Sequence, residues 1–127
     1  MSNNAILLIA RILLAVIFIM AGLNKFPNIA GTAGYIGSVG LPMGTALAWA
    51  AAIFETVAGI AILIGFQTKL ASWALAAFCI FTAVVFHNNF GDQTQMILFM
   101  KNLAIAGGFL ALIVSGPGSI SVDGRKA

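Results

Sequence analysis

Four apolar stretches, each long enough to cross a bilayer and separated by short connectors, constrain this chain more than any other feature of its sequence. They cover about residues 5–23, 45–66, 70–86 and 96–115, and a spanning helix needs roughly 20 residues. Charge is correspondingly scarce. Charged residues make up 7% of the 127, against about 25% in a soluble domain. Six basic and three acidic groups cannot cover a globule of this size in water, which excludes a water-soluble enzyme, a nucleic-acid reader and a disordered tail. The expected fold is all-α: an integral membrane four-helix bundle, one domain over residues 1–127.

The connectors set the topology. Gln67, Thr68 and Lys69 alone separate the second and third spans, so those helices form a tight antiparallel hairpin. The connector over residues 24–45 is the longest, with Gly31, Gly34, Gly37 and Gly40 interleaved with Ile29, Ala33, Ile36 and Val39. It is too short to span and reads as a short interfacial helix between spans one and two, ended by Gly40 in a left-handed cap and by Pro42. A Gly-rich flexible loop is the competing reading. The first span has no basic residue before it, is interrupted by Arg11 and closes without an A-x-A site, so it is expected to be retained rather than cleaved. Lys69, Asp123, Arg125 and Lys126 then lie on the side of the termini, and Lys25, His87 and Asp92 on the other. The Lys/Arg bias places both termini in the cytoplasm.

An ionisable group inside a span costs about 2.5–3.5 kcal/mol on insertion scales, so it faces the bundle, pairs or snorkels. Counting about 1.5 Å per residue, Arg11 is roughly 9 Å from the cytoplasmic edge, while Lys101 and Glu55 are about 8 and 15 Å below the outer edge. Glu55 shares its face with Ala48, Ala51, Ala52 and Gly59; Lys101 shares one with Ala104 and Gly108, and Arg11 with Ala15, Phe18 and Gly22. Small residues permit close helix approach in lipid, so all three faces are expected to look inward. Axial gaps of about 6–7 Å make Arg11 or Lys101 the expected partner of Glu55.

Such a polar centre has two uses. It can be an interhelical ion pair that fixes helix register. Alternatively, its surplus of cations, with Lys25 and His87 near the mouth, binds an anionic or quinone-like ligand entering from the outer side. A proton relay or transport path is a third and sparser reading. His87 is the candidate proton exchanger, with bonding to Asn88, Asn89 or Asp92 as its plainer role. The lone Cys79 excludes an intrachain disulfide and reads as a small hydrophobe. Met20, Met43, Met96 and Met100 read as core or lipid-facing side chains, and no haem, flavin or metal motif is present.

Short motifs run through the chain in order: RILLAVIF from residue 11, AGLNKF from 21, AGY from 33, GLP from 40, Phe54-Glu55 with Gly59, GFQTKL from 65, Phe86-His87, KNLA from 101 and GPGS from 116. Their order and spacing resemble those of the DoxX family of small bacterial membrane proteins, over nearly the whole chain. The resemblance implies a four-helix bundle in the bacterial cytoplasmic membrane and a link to redox metabolism. The family takes its name from a subunit of an archaeal terminal quinol oxidase with thiosulfate:quinone oxidoreductase activity, and other members are described as membrane partners of oxidative-stress enzymes. Matching polar positions are Arg11, Asn24, Lys25, Glu55, His87, Lys101 and Asn102.

Three functions compete on these grounds. As the quinone-interacting subunit of an oxidoreductase, the chain would use Glu55 and His87 as catalytic candidates and Arg11, Asn24, Lys25, Lys101 and Asn102 to bind substrate. As a non-enzymatic scaffold it would form homo-oligomers through its small-residue faces and dock an enzyme on residues 121–127. As a transport component it would bind a lipid or another small molecule at the polar centre. Quinone is the one cofactor these readings suggest.

Overall fold

The computed structural model describes residues 2–126. Six helices follow in order: α1 (Asn3–Lys25), α2 (Ile29–Ser38), α3 (Gly44–Ile64), α4 (Thr68–Phe86), α5 (Gln93–Ser115) and α6 (Val122–Lys126), with a 3-10 turn at Phe26–Asn28 joining α1 to α2. Four long apolar helical segments, whose first runs on through α2, are able to cross a membrane, so the fold is an all-α membrane bundle. The connector is a helix rather than a loop: α2 ends at Ser38 and Gly40 follows with φ +88°.

Helix ends follow local chemistry. Ser2 accepts from Ala5 N at 3.2 Å to open α1, and Asp92 accepts from Thr94 N at 2.9 Å to open α5. Asp92 places the start of α5 at Gln93, three residues before the apolar run begins, because the cap rather than hydropathy sets the boundary. At the end of α3, Gly65 takes φ +72°, while Phe66 N bonds Ala61 O at 2.8 Å and Gly65 N bonds Ile62 O at 3.2 Å. This Schellman closure stops α3 at Ile64, short of the end of the apolar run at Phe66.

Two antiparallel pairs make the bundle: α1 packs along α3 and α4 along α5, with looser contact between the pairs. Gly22 and Gly59 set the α1–α3 approach. A Cβ at Gly22 would stand 2.7 Å from Thr56 N and 2.9 Å from Ala52 O, and one at Gly59 would stand 2.8 Å from Ile19 Cγ1. In lipid, where apolar burial gives no driving force between helices, such backbone proximity holds the pair through dispersion. The two pairs meet through Phe18–Phe109, with ring centroids 5.6 Å apart, and Phe54–Phe78 at 5.2 Å. Around the first contact Ile62, Leu75 and Leu112 complete a closed apolar layer. Helix α2 packs on α3 and reaches across to α4, where Tyr35 stacks on Phe86 at 5.2 Å.

Candidate functional site

Because the pairs meet tightly near the layer of Phe18 and Phe109 and loosely beyond it, a cavity of about 540 Å³ opens in the half of the bundle away from the termini. All five of the helices α1–α5 contribute to its walls. The lining is mostly apolar, with Phe18, Ile36, Phe54 and Phe78 among it, and Glu55 is set into one wall. Lys25 Nζ stands 2.7 Å from Glu55 Oε2. Glu55 lies on the small-residue face of α3, and Lys25 closes the last turn of α1, where its ammonium extends into the cavity. Glu55 is 7% exposed at its side chain and Lys25 26%, so the pair has one sheltered and one accessible member.

The α4–α5 wall carries a second set of polar groups. Asn102 Nδ2 donates to Thr82 Oγ1 at 3.1 Å, and His87 Nδ1 lies 2.9 Å from Gln95 Oε1. Thr82, His87 and Asn102 line the cavity, and Cys79, buried beside Glu55, lies deeper on the same wall. Ile17, Tyr35 and Phe81, also in the lining, are each about half exposed, so the cavity reaches the lateral surface of the bundle.

The single polar centre expected from sequence is thus divided. Lys25, Glu55, His87 and Asn102 meet at the cavity; Arg11, Asn24 and Lys101 do not line it. The partner of Glu55 is Lys25, not Arg11 or Lys101, because α1 ends well below the start of α3: Gly22 is level with Ala52 and Thr56. Lys25 is therefore deeper than a position at the bundle mouth. His87 bonds Gln95 rather than Asn88, Asn89 or Asp92, since Gln95 is in the first turn of α5 and faces the end of α4. Asn24 is exposed on α1, and Lys101 is exposed on α5 rather than turned inward.

Arg11 is fully buried at the opposite end of the bundle, where its guanidinium holds the chain together. It donates to Leu63 O at 2.8 Å and Ile62 O at 3.4 Å, at the end of α3, and to Ile120 O in the tail. Leu63 O is one of the carbonyls that the end of α3 leaves without an intrahelical partner, Ile62 O also accepts from Gly65 N, and Ile120 O belongs to the non-helical tail. Asp123 interacts electrostatically with Arg11 and accepts from Gln67 N and Thr68 N at 2.9 and 2.8 Å, capping α4 from the far end of the chain. Asp123 N donates to Gly65 O at 2.8 Å, and Ser121 is buried. The tail segment that a scaffold would offer to a partner is thus folded into this knot; Ala127 lies outside the described residues.

Thr82 and Gln95 carry no signal of their own in the sequence, while Tyr35 enters it only within the AGY motif and Asp123 only as a charge on the side of the termini and within the docking segment. An amide inside a span needs a partner, so Asn102 signals that a residue such as Thr82 exists, without naming it.

The family model for DoxX matches residues 6–88. The chain is 43% identical over 116 residues to "Inner membrane protein YqjF" of Escherichia coli (strain K12), covering 91% of this chain and 88% of that protein. It is 41% identical over 129 residues to "Inner membrane protein YphA" of the same organism, covering 98% and 92%. Against the Bacillus subtilis (strain 168) protein named "Putative oxidoreductase CatD", identity is 30% over 113 residues, with 83% and 82% covered. No solved structure matches the chain significantly.

Proposed function

From the premise that the chain belongs to the DoxX family and is a multi-pass bacterial inner-membrane protein, we propose that it is the quinone-interacting membrane component of an oxidoreductase system. The observation that carries this reading is the Lys25–Glu55 pair set into the wall of an otherwise apolar cavity of about 540 Å³. That volume is within the range of small-ligand sites, about 300–1,000 Å³, where a few polar groups orient a largely apolar molecule. A lateral opening flanked by Ile17 and Phe81 admits a ligand from the bilayer.

In this reading the Lys25 ammonium donates to one ring oxygen and stabilises the negative charge that develops as the ring is reduced. Glu55, freed from Lys25 by that contact, exchanges the accompanying proton. The Asn102 amide on the opposite wall addresses the second oxygen. Conversion of quinone to quinol takes two electrons and two protons; a partner reductase or a second reduced substrate would supply the electrons, and Glu55 would pass on both protons in turn, reloading from the surface beyond His87 between them. His87 and Gln95 connect the cavity to the surface away from the termini, whereas Phe18, Ile62, Leu75 and Phe109 separate it from the terminus end. With the termini in the cytoplasm, as the Lys/Arg bias favours, proton exchange faces outward.

The test is titration of the chain in nanodiscs with a short-chain benzoquinone and a short-chain naphthoquinone, followed by thermal shift and by mass of the retained complex. A saturable stabilisation by one of them, lost in Lys25→Met and weakened in Asn102→Leu, is expected. Absence of saturable binding by both quinones contradicts the reading.

A further inference from the structure

Away from the cavity, the exposed side of α5 carries a cation within a span. Lys101 has no hydrogen-bond or ion-pair partner among the described residues, and it borders a shallow groove of about 570 Å³ with Gln93, Met96, Ile97, Met100 and Ala104. Its depth follows from the register of α4 and α5. Asn102, the next residue, bonds Thr82, whereas Gln95 bonds His87, so Lys101 lies about 7 Å inward of the end of α4. A lysine side chain extends far enough to bring its ammonium to the phosphate and ester zone of the adjacent leaflet.

What neutralises Lys101 can be narrowed by counting carboxylates. The chain has three acidic side chains, Glu55, Asp92 and Asp123. Glu55 is paired with Lys25 inside the cavity, Asp123 caps α4 at the terminus end, and Asp92 caps α5, more than two turns away from Lys101. A second copy of the chain would therefore bring no uncommitted carboxylate to this depth. The surrounding bilayer does contain anions at that level.

We propose that the α5 groove is a binding site for an anionic phospholipid of the leaflet opposite the termini. Lys101 donates to the phosphate or to a glycerol-ester oxygen, with the Gln93 amide above it. An acyl chain lies along Met96, Ile97, Met100 and Ala104. The site is independent of quinone binding in the cavity.

Native mass spectrometry of the detergent-solubilised chain tests this, with dioleoylphosphatidylglycerol and dioleoylphosphatidylcholine added in equal amounts. The wild-type chain is expected to carry the anionic lipid in about fivefold preference, the contribution of one lysine near an anionic surface. Lys101→Met abolishes the preference and Lys101→Arg keeps it, both with unchanged helix content and melting. Equal adducts on the wild type overturn the proposal, as does an undiminished preference in Lys101→Met. Loss of a dimer in Lys101→Met without any change in lipid adducts assigns the groove to a second copy and overturns it equally.

Discussion

The two ends of this bundle each bury charge, but they dispose of it differently. At the terminus end Arg11 is sealed from solvent and donates from Nη1 and Nη2 to the last carbonyls of α3 and to the tail, while Asp123 caps α4. At the other end Lys25 and Glu55 face each other across the edge of a cavity, and Lys25 retains an exposed flank. Satisfied backbone partners make a joint; a pair with space beside it makes a site. The distinction is between charge used to close helix ends and charge left accessible to a ligand.

Substitutions ranked by effect sharpen this contrast. Arg11→Met removes a guanidinium that holds carbonyls from two segments, and is expected to cost about 3–5 kcal/mol in unfolding free energy; Arg11→Lys recovers only part, because one ammonium cannot replace the planar fork. Neither change should alter quinone affinity at temperatures where the chain remains folded. Gly22→Val forces a side chain against Thr56 and Ala52, and overpacking of this kind costs about 1–3 kcal/mol. Because Gly22 is one turn from Lys25, weakened ligand binding is expected to accompany the lower melting temperature. Asp123→Ala removes a cap worth about 1 kcal/mol, which hydrogen exchange would localise to the first turn of α4. Tyr35→Ala loses the stacked contact with Phe86, about 0.5–1.5 kcal/mol, and should speed ligand release in a stopped-flow displacement experiment while the terminus end is unchanged.

The fold was legible because membrane-spanning apolarity and short connectors leave few alternatives, and Gly40 announced the end of α2. Helix boundaries shifted where a specific cap outweighed hydropathy, at Asp92 and Gly65. The site was half legible. Insertion cost drew attention to Arg11, Glu55 and Lys101, of which Glu55 alone lines the cavity; Lys25 and His87 were read as lying near its mouth, Asn102 entered through the family resemblance, and helical phase placed Glu55 on a packing face. The error over its partner came from treating α1 and α3 as flush at the outer edge; the 3-10 turn at Phe26–Asn28 and the return through α2 leave α1 shorter, so Lys25 is level with the upper half of α3. Lys101 shares its face with Gly108, which approaches Leu14 of α1, but Lys101 and Ala104 are exposed, since helical phase tells which residues share a side and not how far along the helix that side is covered. Capping of α4 by Asp123 spans 55 residues from Thr68 and leaves no local signature.

The most direct measurement is a paired one on the double variant Lys25→Met/Glu55→Leu in nanodiscs, recording thermal unfolding and quinone titration side by side with Arg11→Met. Replacing a buried ion pair by apolar residues of similar size is often neutral or stabilising. The double variant is therefore expected to melt like the wild type and to have lost saturable quinone binding, while Arg11→Met melts far lower and still binds. A double variant that unfolds as readily as Arg11→Met, or that binds quinone as the wild type does, would show the Lys25–Glu55 pair to be a second structural joint.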